Sequence, residues 1–271
     1  MCGMPRILFL GDIVGRAGRE AVYTHLGAIR EKEELDLVIV NGENAAGGSG
    51  ITPVIAEKLH AAGVDGITLG DHCWDQRGFE KEIDSLPYVS RPMNLLPGSP
   101  GADHLILEKG GFRLCVVTFL GQQLVKTSSE AVFPRAVPFL ERVRDSCDAV
   151  LVEMHAETTS EKVAIGWYLD GRVAAVLGTH THIPTADARR LPRGTGYMTD
   201  VGMSGPYDSI IGREIGPIVG RFLDGLPRKF TVAEANVQLC GAVVEVEPGK
   251  RGCRSITPFC RDAEGNPGLW H

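Results

Sequence analysis

"AAVLGTHTHIPTAD", residues 174–187, runs from small and β-branched residues straight into two histidines one residue apart, His180 and His182. A short apolar run bounded by turn residues reads as a buried strand. Imidazoles at its end need an explanation, which has to come from polar residues at the ends of other strands. Asp12 follows "RILFLG", Glu43 and Asn44 lie in "LDLVIVNGEN", Asp71 and His72 close "DGITLGDH", and His155 with Glu157 follows "DAVLVEM". Each cluster falls where an apolar run gives way to a turn. Four of the eight histidines are among them.

Between the apolar runs lie stretches of helical period: "GREAVYTHLGAIREKEE", "TPVIAEKLHAAG", "RAVPFLERVRDS" and "SEKVAIGWYLDG". Near-continuous apolar strands alternating with such helices predict a layered α/β fold whose central strands are largely parallel and covered on both faces. From "GYMTDVG" onward the pattern changes. "KFTVAEANVQLCGAVVEVEP" and "GCRSITPFC" read as strands joined by turns, an antiparallel β addition toward the C-terminus. No repeat, low-complexity tract or linker interrupts residues 1–271, so a single domain is expected. Thr52 before Pro53 predicts a helix N-cap, and "TTSE" at 158–161 predicts a capping box. In layered α/β folds ligands bind beyond the carboxyl ends of the strands, where these polar clusters fall.

Composition narrows the function classes. With Lys plus Arg at 28 against Asp plus Glu at 34, the net charge of −6 gives no basic face for a sequence-independent grip on nucleic acid. Stable nucleic-acid binding is therefore not expected. The first apolar run is broken at once by Gly11 and Asp12, too short for a signal peptide or membrane span, and a cytoplasmic protein without membrane attachment is expected. The seven cysteines (Cys2, Cys73, Cys115, Cys147, Cys240, Cys253 and Cys260) form no C-x-x-C pair and read as reduced thiols.

Carboxylate, amide and imidazole groups gathered at one sheet edge would repel or go unsatisfied unless a cation joined them. Mixed oxygen and nitrogen donors without thiolate suit manganese, iron or zinc.

Taken in order, "GDIVGRAGR", "VNGENAAGG", "LGDHCWD", "HAETTSEK", "GTHTHIPTAD" and "TDVGMSGPYDSIIG" resemble the calcineurin-like metallophosphoesterases, and more closely their YmdB-type bacterial branch. The resemblance covers residues 6 to about 216. It implies a four-layer α/β sandwich holding two divalent or mixed-valence transition-metal ions, iron first and manganese next. It also implies hydrolysis of small phosphoesters, chiefly 2′,3′- or 3′,5′-cyclic nucleotides, by attack of a metal-bridging hydroxide. Carried over by position, Glu43 bridges the ions. Asp12, Asn44 and His182 complete one shell, and Asp71, His155 and His180 the other. His72 stays unligated and protonates the leaving group. As an i, i+2 pair on one strand, His180 and His182 are expected on one side, with Thr179 and Thr181 opposite.

The chain departs from the branch it resembles at Asp71, where the usual residue is Asn. An added carboxylate should tighten cation binding while lowering the positive charge offered to a phosphate.

Competing readings have their own signatures. A GDS-type serine esterase lacks its nucleophile, since Ile13 follows Asp12. A metal amidohydrolase places its H-x-H pair on the first strand, not late in the chain. A regulatory metal- or nucleotide-binding protein with slow phosphatase activity remains the alternative. "AAGGSG" is read either as a phosphate cradle or as a turn feeding a helix, and Arg189, Arg190 and Arg193 as a solvated loop or a phosphate clamp. Trp74, Trp167 and Trp270 read as core or interface fillers, and the apolar C-terminal strands as support for a homo-oligomer.

Overall fold

The strands alternate their side chains between two buried faces, and that alternation builds the layers. The structure, a computed structural model, describes residues 4–247, 251–262 and 265–268. Cys2 and Trp270 lie outside the described residues.

One sheet contains β1 (Arg6–Leu10), β2 (Leu37–Asn41), β3 (Gly66–Thr68) and β4 (Val89–Ser90), all parallel. The other is built on β5 (Leu105–Lys109), β6 (Phe112–Leu120), β7 (Ala149–His155), β8 (Ala175–Thr179), β9 (Arg189–Arg190) and β10 (Gly196–Met198), in the order β5-β6-β7-β8-β10-β9. Its central strands β6, β7, β8 and β10 are parallel, and the edges β5 and β9 antiparallel. The C-terminal strands β11 (Ser204–Pro206), β12 (Val237–Val246) and β13 (Cys253–Asp262) return to the first sheet, where β12 lies antiparallel to β1 and carries β11 and β13. The fold is thus mixed α/β with an antiparallel C-terminal addition, as the sequence pattern predicts.

Three apolar interfaces separate four layers. Ile7, Phe9, Leu37 and Ile39 meet Leu114, Val116, Leu151 and Leu177 between the sheets. The intervening residues Leu8, Leu10, Val38 and Val40 pack outward beneath α1 (Gly15–Lys32) and α2 (Pro53–Ala61). On the far side Val117, Phe119, Val150 and Val152 pack beneath α4 (Val132–Arg142) and α5 (Thr159–Tyr168). A strand read as continuously apolar is one whose odd and even residues each have a buried face to fill.

Local signals fare unevenly. Thr52 caps α2, its Oγ1 accepting the Ile55 N–H at 3.4 Å. Thr158 precedes α5 but closes no capping box. Its hydroxyl donates to Glu161, and that carboxylate accepts the Gln122 and Gln123 backbone N–H groups at 2.9 and 3.2 Å instead. A short helix α3 (Phe79–Glu82) precedes β4. The sequence reading omits β5 and α6 (Ile215–Asp224). α6 buries none of its residues, and Ile215, Val219, Phe222 and Leu223 lie exposed along it. One exposed apolar face therefore lies on α6, whereas Leu239, Ala242, Val244 and Phe259 of the C-terminal strands are buried in the core.

Candidate metal centre

At their carboxyl ends the strands change what they place between the sheets. Continuing the inward-facing parity, Asn41, Thr68, Thr118, Glu153 and Thr179 follow the apolar residues of β2, β3, β6, β7 and β8, and all five are buried. They converge on Glu153, whose carboxylate accepts Asn41 Nδ2 at 2.6 Å and the hydroxyls of Thr118 and Thr179 at 2.7 Å each. Burial would raise the pKa of Glu153. The nearby His155 imidazole, with hydrogen bonds from Thr68 and Asn41, outweighs that and lowers it. A fully buried carboxylate is thus held ionised directly beneath the strand-end cluster.

This network sets the tautomer of His155. Thr179 has one hydroxyl proton, which goes to the acceptor-only Glu153 carboxylate, so its oxygen accepts from His155 Nδ1 at 2.9 Å. His155 Nε2 then faces outward, 3.0 Å from Glu43 Oε1, 3.1 Å from Asp71 Oδ1 and 3.1 Å from His180 Nδ1. His180 is oriented in the same manner: Nε2 lies 3.0 Å from the Glu157 carboxylate, leaving Nδ1 for the cluster, 3.2 Å from Asp71 Oδ1. The four candidate ligand atoms of Glu43, Asp71, His155 and His180 all lie within 4.8 Å of one another.

Asp12, Asn44 and His182 gather beside this cluster. His182 Nδ1 donates to the Ile211 carbonyl at 3.0 Å, so Nε2 presents its lone pair to Asn44 Oδ1 at 3.1 Å. The Asn44 amide nitrogen donates to the Gly48 carbonyl, fixing that oxygen toward the histidine. Asp12 Oδ2 accepts the His180 N–H at 3.2 Å, whereas Asp12 Oδ1 is buried without a hydrogen-bond partner, 3.8 Å from His182 Nε2.

Glu43, Asp71, His155 and His180 are placed so that they could hold a metal ion. Donor assignment leaves lone pairs of imidazoles, an amide oxygen and carboxylates turned toward one another, an arrangement that is repulsive unless protons or cations lie between them. Donors on one ion at 2.0–2.2 Å lie roughly 3–3.5 Å apart, the spacing of the first cluster. Gly70 keeps that space open, since a Cβ there would sit 2.2 Å from Glu43 Oε2 and 2.4 Å from His155 Nε2. Protons take the cation's part in its absence. Burial lowers the His155 pKa, but Glu43, Asp71 and Glu153 outweigh it and hold the value well above the usual one, and burial raises that of Asp12. Cation binding must displace those protons, so affinity falls as pH falls.

His180 and His182 reach the cluster by a route the sequence does not show. β8 ends at Thr179, and the two histidines have φ of +88° and +64°, in the left-handed region. Strand alternation therefore does not govern them, and Thr179, expected to face away, supports His155. The strained turn is held through Thr181, whose N–H and hydroxyl both go to Asp200 Oδ2, at 3.2 and 2.5 Å. Lys162 Nζ completes the knot at 2.8 Å from Asp200 and 3.0 Å from Thr181, fully buried. Such backbone persists where the surroundings over-determine it.

His72 stands apart from the candidate ligand atoms. Its backbone N–H donates to Glu43 Oε2 at 3.1 Å, and its Nδ1 lies 2.7 Å from Asp75 Oδ2, leaving Nε2 for the pocket. Burial lowers its pKa, but Glu43, Asp71 and Asp75 more than offset this and raise it. The pocket, about 450 Å³, opens over Glu43, Asn44, His72, His180, His182 and Arg213.

Several residues enter the site without notice from the sequence. Glu153 has a signal, a lone charge within an apolar strand, and Asp75 lies inside the quoted "LGDHCWD". Lys162 and Asp200 lie inside the quoted "HAETTSEK" and "TDVGMSGPYDSIIG", but nothing in either stretch marks them as a buried pair. The N–H groups of Ala46, Gly48 and Ser49 go to carbonyls of their own loop, so "AAGGSG" is a turn feeding α2 rather than a free cradle. Arg189 and Arg190 are exposed on β9 and, like Arg193, do not line the pocket. Trp74 packs against the core and Trp167 is exposed.

The family model described as YmdB-like protein matches residues 8–259. The chain belongs to the YmdB-like family. It is 42% identical over 242 residues to the 2′,3′-cyclic-nucleotide 2′-phosphodiesterase of Bacillus subtilis strain 168, spanning 89% of this chain and 91% of that protein. Among solved structures it is similar to a phosphatase of Mycoplasma pneumoniae, with a TM-score of 0.89, 32% identity, and coverage of 97% of this chain and 95% of the other. It is also similar to a protein of Thermus thermophilus, with a TM-score of 0.88, 44% identity, and coverage of 95% and 99%. The layers described above are those of a metallophosphoesterase-type fold. Among the described residues no helix is long and apolar enough to cross a membrane.

Proposed function

We propose that the chain is a metal-dependent phosphodiesterase acting on cyclic nucleotides, 2′,3′-cyclic before 3′,5′-cyclic. The observation carrying this reading is the candidate metal cluster of Glu43, Asp71, His155 and His180, with Asp12, Asn44 and His182 gathered beside it and His72 at the wall of the open pocket above. Glu43, Asp71, His155 and His180 would hold one ion and Asp12, Asn44 and His182 the other, with Glu43 shared. When bound, two transition-metal ions, iron first and manganese next, supply the Lewis acidity that makes water nucleophilic near neutral pH and polarises phosphoryl oxygens.

The remaining work falls to the chain's own groups. Asp75 holds His72 Nδ1–H, so a proton on Nε2 is aimed into the pocket and can pass to the departing ribose oxygen as the P–O bond breaks. His72 then regains a proton from solvent, to which it is partly open. Thr179 and Glu153 keep His155 in one tautomer, and Asn44 is kept in one amide orientation by Gly48. Identity to the Bacillus subtilis enzyme supports the cyclic-nucleotide choice.

The test is a substrate panel on protein loaded with Mn²⁺ or Fe²⁺ and on chelator-stripped protein: 2′,3′-cyclic AMP, 3′,5′-cyclic AMP, an aryl diester and a nucleoside monophosphate. Metal-dependent turnover of the cyclic diesters is expected, fastest on the 2′,3′-ring. Nucleotide binding without turnover by the loaded protein would replace this reading with a regulatory one.

A further inference from the structure

The walls of the pocket are rich in acid and poor in base. Glu43 and Glu157 line it, Asp71 and Asp12 lie beside its lining residues His180 and His182, and Arg213 is the one lysine or arginine among its lining residues. Asp71 adds a carboxylate to a centre that must attract an anion. A phosphodiester approaching this site therefore needs a cation from the protein.

Arg213 has the features of such a group. It is half-buried, and the only influence on its pKa is burial, which lowers it. No carboxylate pairs with it among the described residues, whereas Arg6, Arg30, Arg113, Arg135 and Arg142 each have one. Its guanidinium is oriented by two carbonyls, Gly48 at 2.6 Å and Gly47 at 3.3 Å. Two carbonyls use two of five N–H donors. The backbone holding it is fixed too: Ile210 and Arg213 exchange both N–H···O bonds, at 2.8 and 3.0 Å, and between them Ile211 supplies the carbonyl that orients His182. One short turn thus supports a candidate ligand and presents an unneutralised cation to the same cavity.

We propose that Arg213 is the substrate-anchoring cation of this site, donating to a non-bridging oxygen of the phosphoester and to the phosphoryl product. The proposal rests on the phosphodiesterase reading for the substrate, while the anion-binding role is measurable without turnover. Arg213 also shares the Gly48 carbonyl with Asn44, so a purely structural role would be to keep the Asn44 oxygen turned toward His182.

The experiment compares wild type, Arg213→Ala and Arg213→Lys, each loaded with Mn²⁺. Metal content is measured by elemental analysis, inorganic phosphate binding by calorimetry, and KM and kcat with 2′,3′-cyclic AMP. A hydrogen bond to a charged group contributes about 1.5–3 kcal/mol, or roughly 10–150-fold. Arg213→Ala should therefore retain its metal while its phosphate Kd and its KM rise by that factor. Arg213→Lys should recover part of the loss, and added guanidinium ion should recover part of it in Arg213→Ala. Loss of metal from Arg213→Ala, or an unchanged phosphate Kd with metal retained, would overturn the proposal and leave Arg213 as a loop pin. Phosphate binding by a wild type that hydrolyses no diester would overturn the phosphodiesterase reading alone, with Arg213 still judged by the phosphate Kd.

Discussion

Glu43, Asp71, His155 and His180 form a closed group, with ligand-capable atoms 3.0–3.2 Å from a neighbour. Asp12, Asn44 and His182 form an open one, in which the carboxylate oxygen nearest His182 is 3.8 Å away and has no hydrogen-bond partner. The first group rests on the buried Glu153–Thr179 network. The second rests on loop carbonyls, Gly48 beneath Asn44 and Ile211 beneath His182. Preorganisation differs accordingly: a ligand set already assembled loses little freedom on binding, whereas loop-borne ligands must be drawn together. The closed group should therefore bind its ion more tightly, and the open group should exchange its own more readily.

Removing the carboxylate proposed to be shared, Glu43, should have the largest effect. Glu43→Ala is expected to lose most bound metal and bring turnover to background, measured by elemental analysis with a cyclic-nucleotide assay. Two ions retained at wild-type affinity would show that the halves do not share Glu43. His72→Ala should leave both halves filled and lower turnover of ribose-leaving substrates by roughly 10²–10⁴-fold, the range of a lost general acid. An aryl diester should suffer less, because its leaving group departs unprotonated. Equal slowing of both substrates would remove His72 from that role.

Asp200→Ala attacks the turn that sends one histidine to each half. Leaving Lys162 buried and unpaired costs about 3–5 kcal/mol, so the denaturant midpoint should fall and both ions weaken together. A midpoint within error of wild type would show that the turn holds without the knot. The smallest effect is expected from Thr179→Val, which removes the hydroxyl beneath His155 and reaches the closed half alone. An outer partner of this kind is worth about 10–100-fold in metal affinity, and only the tighter of two binding phases should weaken.

The sequence showed some parts of this arrangement more readily than others. Layers and strand ends were legible because a run such as "RILFLG" can be continuously apolar only if both faces are covered, and because Asp12, Glu43, Asn44, Asp71, His155 and His180 fall where such runs stop. Their convergence follows from parallel strands ending on one side. The turn carrying His180 and His182 was not legible, since two non-glycine residues of positive φ leave no compositional mark and strand alternation predicts the wrong face for Thr179. Nor was Arg213, an arginine in a loop, distinguishable from Arg189 or Arg190. What separates it is its place in the wall of the cavity. α6 was missed because Gly216, Pro217 and Gly220 interrupt its pattern and it has no buried face within this chain.

Phosphodiester hydrolysis that requires two ions, bound in sequence by a closed and an open half, is the proposal that the geometry motivates. Its most direct test is a titration of chelator-stripped protein with Mn²⁺, following metal bound per chain and 2′,3′-cyclic AMP turnover in the same samples. A first ion bound tightly with little turnover, then a second whose occupancy tracks activity, is the predicted result. Full turnover at one ion per chain, or turnover unchanged by stripping, would contradict it.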